Sequence, residues 1–276
     1  MPVMPIPTSP RFSVVIPTFD RAEKLRRALA SVERQTFRDF EVLVCDDGSR
    51  DHTGEVVESF LGRMDVSCLR EENWGGPARP RNRGIRSARG EWVCFLDSDD
   101  WWYPDKLEAV RGETEGADFV YHDARVYTPR GRSFRRMRTR QVRPPVLVDL
   151  MTRGNAVVNS GACIRREILE RAGGFSEDRE LIAVEDYDLW LRISRITERF
   201  VHIPRELGAY WLEGEGIAGA SERQVERRIA VHSRHAGWLD EGARRLAEKR
   251  LAYEVGMLLL RMRRYRDAAR SLWRSV

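Results

Sequence analysis

Long apolar runs, clustered cysteines and histidines are what this 276-residue chain has least of. Its longest uninterrupted apolar stretch is a short one at Val255–Leu260, far below the roughly 18 residues that cross a bilayer, so no transmembrane helix is expected. The first residues, MPVMPIPTSP, lack the basic start and apolar core of a secretory signal. Residues 1–11 therefore read as a flexible leader, and the chain is expected to stay in the cytoplasm. Cys45, Cys68, Cys94 and Cys163 are widely separated and form no CxxC pair. That spacing argues against both a zinc site and a disulfide framework, and predicts reduced, mostly buried thiols. No nucleic-acid-binding motif and no long internal repeat is present.

What is present is a composition of 42% apolar and 33% charged residues, enough for a full core and suited to one main domain with an appendage. The net charge of +5 is concentrated in arginines at Arg79–Arg89, at Arg125–Arg143 and after Glu222. Such patches suit phosphorylated small molecules, an anionic membrane surface or nucleic acid, or simply form a solvated face. With no accompanying motif, nucleic acid is set aside.

Pattern along the chain predicts alternating strands and helices. Phe12–Ile16 reads as a strand, Leu25, Ala28, Leu29 and Val32 mark a helix, and Phe40–Cys45 reads as a second strand. That is a βαβ unit. Val66–Arg70, Trp92–Leu96 and Ala117–Tyr127 follow as strands, and Pro77–Ala88 and Pro104–Arg111 as helices, Pro104 suiting a first turn. The arginine-rich segment after Tyr127 reads as a loop or flexible flap. Glu167–Ala172 and Tyr187–Ser194 read as helices and Phe200–Ile203 as a late strand. Beyond Ala220 one helix carries Leu251, Val255, Leu258 and Met262 on one face. A second carries Tyr265, Ala268, Ala269, Leu272 and Trp273, making a helical hairpin. The expected class is α/β: a doubly wound, mainly parallel sheet over 12–220 with a helical extension over 221–276.

In open parallel sheets ligands bind beyond the carboxyl ends of the strands. Asp46-Asp47 and Asp97-Ser98-Asp99-Asp100 both fall there. Three carboxylates within four residues repel one another unless a cation or hydrogen-bond donors offset them. With no histidine nearby, an all-oxygen set suits Mg²⁺ or Mn²⁺ shared with substrate phosphates. The competing reading is an Asp-rich turn capping the following helix.

The segments VVIPTFDRAEKLRRALASVERQTFRDFEVLVCDDGSRDHT and NWGGPARPRNRGIRSARGEWVCFLDSDDWWYPDKLE closely resemble glycosyltransferase family 2, whose members have the GT-A fold. The likeness is strong over about Phe12–Leu107 and continues through GACIRREILERAGGFSE and VEDYDLWLRIS. It implies an inverting transfer from a nucleoside diphosphate sugar, a UDP-sugar first, to a hydroxyl of a bacterial surface glycan or lipid-linked oligosaccharide. By the same resemblance, Pro17, Thr18 and Phe19 wall the nucleobase and Asp47 accepts from it, while Arg83 stands near the donor. Asp97 and Ser98 belong to the donor side, and Asp99 is the ligand of a divalent cation, Mn²⁺ or Mg²⁺. Asp186, in Glu185-Asp186, is the general base that an acceptor hydroxyl requires, with Glu185 and Asp188 as competitors. Trp101 and Trp102 could form a sugar platform or pack in the core. Asn159-Ser160-Gly161 lie in a position suited to the acceptor side, Gly75-Gly76 to a tight turn, and His202 to a structural role.

One departure stands out. Relatives often carry Arg and His in a loop after the ED helix, whereas this chain reads AYWLEGEGIAGAS. The alternatives are a catalytically silent relative docking through its C-terminal helices, and a nucleotidyltransferase. PTFDRAEK is not the Gly-rich basic loop that the latter carries after its first strand. The basic surface would hold the enzyme peripherally on the inner face of the membrane, where a lipid-linked acceptor is presented.

Overall fold

A computed structural model describes residues 9–137, 139–213 and 219–276. Most of the expected leader, residues 1–8, lies outside them. Strands β1 (Phe12–Thr18) and β2 (Phe40–Asp46) are buried at every position. Unalternated apolar runs of this kind suit parallel strands covered on both faces. Helix α1 (Ala22–Glu33) turns Ala22, Leu25, Ala28, Leu29 and Val32 inward. A short α2 (Thr53–Glu58), absent from the pattern reading, leads to β3 (Val66–Arg70), α3 (Ala78–Ser87) and β4 (Trp92–Phe95). The four strands lie in the order β3-β2-β1-β4, all parallel. The chain winds outward from β1 to β3 and then returns to the other side of β1. That reversal opens a crevice beyond the ends of β1 and β4.

The sheet then becomes mixed. Next come β5 (Trp101–Trp102), α4 (Lys106–Gly112), β6 (Phe119–Thr128), β7 (Gly131–Met137) and α5 (Val146–Arg153). They are followed by β8 (Cys163–Arg165), α6 (Arg166–Arg171), α7 (Glu185–Ile193) and β9 (Phe200–Trp211). The order continues β4-β8-β6-β9-β5, with β7 paired to β6. β8 runs antiparallel to β4 and β6, while β6 and β9 are parallel.

Four local expectations are corrected. The arginine-rich segment is a strand, because β7 closes a hairpin on β6. Arg136 of β7 joins Arg125 of β6 on Glu206 of β9, at 2.9 and 2.7 Å. The late strand runs on to Trp211, because register shifts beside His122 and Asp123 let β9 bulge past Pro204. Pro104 lies outside α4, which starts at Lys106 after Asp105. Finally, Cys94 and Cys163 face each other across β4 and β8 and form a disulfide with Cα atoms 4.1 Å apart. A sequence separation of 69 concealed what antiparallel pairing brings together. Cys45 is buried, as expected, but Cys68 is exposed. Beside the disulfide, the Lys106 ammonium lies 2.8 Å from Cys163 Sγ and 3.6 Å from the Trp102 ring centroid. Burial drives it well below the usual lysine range.

Three helices complete the chain: α8 (Glu222–His235), α9 (Glu241–Arg261) and α10 (Tyr265–Trp273). α9 and α10 form the expected hairpin, crossing so closely that a Cβ on Gly256 would meet Leu272 at 2.7 Å. The expected apolar face of α10 is only partly inward: Ala268 is buried, whereas Tyr265 and Trp273 are 64% and 82% exposed. Val231, Leu239, Ala243 and Ala247 join the same apolar cluster as Val15 and Phe95 of the sheet. Among the described residues no helix is long and apolar enough to cross a membrane.

Candidate active site

At the crevice, β1 ends in Thr18, β2 in Asp46 and β4 just before Asp97. Pro17 sits within β1 opposite Cys45. The Asp47 amide donates to Thr18 O at 2.9 Å. The Asp47 carboxylate accepts from the amides of Trp74 and Gly75 at 3.0 and 3.1 Å and from Asn73 Nδ2 at 3.2 Å. It thereby holds the loop after β3, in which Gly75 takes φ +89°, a conformation that suits glycine. Phe19 is exposed and lines a cleft of about 560 Å³ with Gly48, Arg50, Arg70, Glu71 and Asn73. Thr18 Oγ1 is buried without a partner. Arg83 is buried and pairs with Glu71 at 2.7 Å, so its charge is directed to the β3 side. A second cleft, about 600 Å³, contains Arg11, Phe37, Asp39 and Arg165. It opens at the opposite ends of the strands, away from the acids.

The three carboxylates after β4 have different partners. Asp97 accepts from Arg81 Nη2 at 2.6 Å and from Asn159 Nδ2 at 3.0 Å. Ser98 is buried. Asp100, almost fully buried, accepts from Ser160 Oγ at 2.6 Å and from the Trp211 amide at 2.7 Å. Burial, then Asp99 and Asp97, push its carboxyl well above the ordinary range. Asp99 makes an ion pair at 2.7 Å with Arg21, whose side chain is 42% exposed. Burial and Asp97 raise its carboxyl as well. Asp99 is thus the member held by a surface cation that can swing away.

The ED segment opens α7. Ala183, in the turn before it, is left-handed at φ +69°. Glu185 is buried, with Oε1 2.7 Å from Arg81 Nη1 and Oε2 unpartnered. Asp186 accepts from the Tyr187 amide at 2.7 Å. Its carboxyl is pushed up to about 7, by burial first and Glu185 next, against the pull of Arg81. Asp188 is engaged elsewhere, with Arg192 Nε at 2.9 Å and His235 Nε2 at 3.0 Å. Burial works upward on it, but these partners hold it below the usual carboxylate range. Of the three acids, Asp186 is the one whose geometry and affinity for protons suit proton acceptance near neutrality.

Arg81 is the residue that sequence reasoning missed. Its guanidinium, 4% exposed, joins Asp97 to Glu185. Burial opposes its charge, yet the two carboxylates raise its proton affinity above that of a free arginine. RPRNRG offers several arginines. Residues 81 and 83 are two apart on α3, about 200° around the axis, so one faces the crevice and the other β3. Two separated acidic motifs needing a shared buried cation were the available signal.

The aromatic residues divide as well. Trp102 is 2% exposed and donates Nε1 to Ser160 O at 2.7 Å, so packing accounts for it and no face is open to a sugar. Trp101 is half-buried, with Arg27 4.1 Å from its centroid and Tyr127 at 4.7 Å. Asn159 and Ser160 buttress Asp97 and Asp100. His202 bonds Asp123 at 2.9 Å and stacks on Tyr121, a structural role. In the loop after β9, residues 214–218 lie outside the described residues.

Among the described residues no three acids, histidines or cysteines are gathered to hold a metal. A hard cation would find Asp99 and the oxygens of a bound phosphate, the manner in which Mg²⁺ and Mn²⁺ are commonly held beside nucleotides. The donor set fits that kind of site.

The family model for Glycosyl transferase family 2 matches residues 13–173. The amylovoran biosynthesis glycosyltransferase AmsB of Erwinia amylovora is 31% identical over 212 residues, covering 72% of this chain and 69% of the relative. TarS of Staphylococcus aureus, a poly(ribitol-phosphate) beta-N-acetylglucosaminyltransferase, is 39% identical over 101 residues, only 18% of its own length. Among solved structures, TarS 1–349 in complex with UDP-GlcNAc superposes with a TM-score of 0.67 at 20% identity, covering 96% of this chain and 89% of that one. The mannosyltransferase PcManGT of Pyrobaculum calidifontis, in complex with GDP-Man and Mn²⁺, gives 0.67 at 22% identity over 98% and 76%. The architecture is theirs, and the chain belongs to glycosyltransferase family 2.

Proposed function

We propose that this glycosyltransferase moves a sugar, with inversion, from a nucleoside diphosphate donor to a hydroxyl on a bacterial surface glycan or lipid-linked oligosaccharide. The observation that carries the reading is the Arg81 bridge, 2.6 Å to Asp97 and 2.7 Å to Glu185. It ties the acids at the end of β4 to the start of α7, so donor and proton acceptor share one crevice. Pro17, Thr18, Phe19 and Asp47 would border the nucleobase, and Asp97 and Ser98 the ribose and diphosphate. Asp99 would hold a divalent cation, which supplies positive charge opposite the departing diphosphate. Asp186 would take the acceptor proton as the hydroxyl oxygen attacks the anomeric carbon from the face opposite the leaving group. A single displacement of that kind inverts the configuration.

A UDP-sugar comes first as donor, because the TarS complexes hold UDP-GlcNAc and UDP; GDP, as in PcManGT, comes second. The hairpin of β6 and β7 exposes Phe134 fully among Arg130, Arg132 and Arg136, a pattern suited to an anionic membrane surface that presents a lipid-linked acceptor. The deciding experiment is thermal stabilisation by UDP, GDP and dTDP with and without Mn²⁺. One nucleotide should stabilise strongly and only with the ion. No response to any of them would overturn the reading.

A further inference from the structure

The arginines of α8 are not alike in how their charges are settled. Arg228 pairs with Glu254 at 3.5 Å and Arg234 with Asp178. Arg227 lies on the inward face with Gln224, Val231 and His235. It is 7% exposed, its Nε is buried without a partner, and no carboxylate among the described residues pairs with it. The helix is fixed in place around it. Ser221 Oγ accepts from the Gln224 amide at 3.2 Å, Val231 enters the core, and His235 meets Asp188 of α7 at 3.0 Å. Arg227 therefore sits on a fixed element, on the same inward face as His235, which bonds Asp188 of α7, the helix that begins with Glu185-Asp186. Burial and the neighbouring Arg223 lower its proton affinity, and the acid acting in the opposite direction is Glu185, whose Oε2 is itself unpartnered.

A guanidinium remains charged in a protein. Burying one without a counter-ion is costly, and such a cost is met where an anion arrives later. We propose that Arg227 is a phosphate-binding residue of the active site, contributed by the C-terminal extension. This rests on the glycosyltransferase reading above. The phosphate has two possible sources of the same chemistry: the donor diphosphate, or a phosphate carried by the acceptor. Arg227 then supplies, from a helix, the cation that AYWLEGEGIAGAS does not offer as an Arg or His.

The test is isothermal titration of the full chain with UDP, UMP and inorganic phosphate in the presence of Mn²⁺, comparing wild type with Arg227→Ala, Arg227→Lys and Asp99→Asn. If the donor is the source, Arg227→Ala weakens UDP about tenfold or more, the scale of a charged hydrogen bond. UMP changes little and Arg227→Lys recovers part of the loss. If the acceptor is the source, UDP affinity is retained and binding of inorganic phosphate to the UDP-saturated protein is lost. The proposal falls if folded Arg227→Ala binds both ligands like wild type while Asp99→Asn loses UDP; the donor reading then survives alone. Should Arg227→Ala not fold, Arg227→Lys and Arg227→Gln are read by the same criteria. Should wild type bind neither UDP, GDP nor dTDP, the donor reading fails, and Arg227-dependent binding of inorganic phosphate decides for or against this site.

Discussion

Two acidic clusters, 97–100 and 185–188, face the same difficulty of several carboxylates in one short segment, and they solve it differently. After β4 most partners are neutral groups brought in from distant segments: Ser160, Asn159 and the Trp211 amide hold Asp97 and Asp100, beside the shared Arg81. At α7 the partners are Arg192, one turn along the same helix, and His235 of α8, which together hold Asp188. In each cluster one acid is left loosely committed, Asp99 to a surface arginine and Asp186 to a backbone amide. Carboxylates that the fold has fully satisfied serve as framework, and those it has not are available for chemistry.

Removing the link between the clusters should have the largest effect. Arg81→Met leaves Asp97 and Glu185 without their shared counter-charge, and breaking a buried ion pair from one side costs about 3–5 kcal/mol. Urea unfolding should show that loss; a midpoint within error of wild type would mean that the two clusters are independent. Asp99→Asn comes next. Transition-state charge stabilisation of this kind is commonly worth about 10²–10³ in turnover. The variant should lose Mn²⁺-dependent nucleotide binding with its melting temperature unchanged.

Asp186→Asn should keep donor affinity and lower turnover about 10²-fold or more, the usual contribution of a general base. Near-normal turnover would pass the role to Glu185, since Asp188 is already engaged by Arg192 and His235. The same residue sets the pH dependence. A base raised to about 7 is protonated and idle below that value, so kcat/KM should rise with pH through about 7 and level off above it. In Asp186→Asn that limb should vanish. The smallest effect concerns the hairpin. Replacing Arg130 and Arg132 by Gln should weaken co-sedimentation with anionic vesicles by roughly fivefold per arginine, about 1 kcal/mol each. Neutral vesicles should not respond, and 1 M salt should abolish the difference.

How much of this was legible in the sequence follows the same division. β1, β2 and β4 were readable because strands covered on both faces are buried throughout, whereas β3, at the sheet edge with one buried position, carried a weaker signal. β7 was not readable, because arginines that pair with Glu206 replace the apolar alternation on which strand reading depends. β8 has three residues, too few to show a period, and missing it hid the Cys94–Cys163 pairing. In the site, Asp99 and Asp186 stood inside motifs that resemblance could point to. Arg81 stood in the matching segment NWGGPARPRNRG, but nothing in the sequence separated it from Arg79 and Arg83, and Trp102 differed from Trp101 only in the direction its side chain takes from β5.

Ala183 gives the ED turn a mechanical character. A left-handed alanine stores roughly 1–2 kcal/mol that a glycine would not, at φ +69° two residues ahead of Glu185. Glycine there would relax the turn but would also let it wander through conformations closed to alanine. The entrance to α7 is accordingly a stiff hinge, and the precision with which Asp186 is aimed depends on the rigidity of the backbone that carries it as much as on the side chains around it.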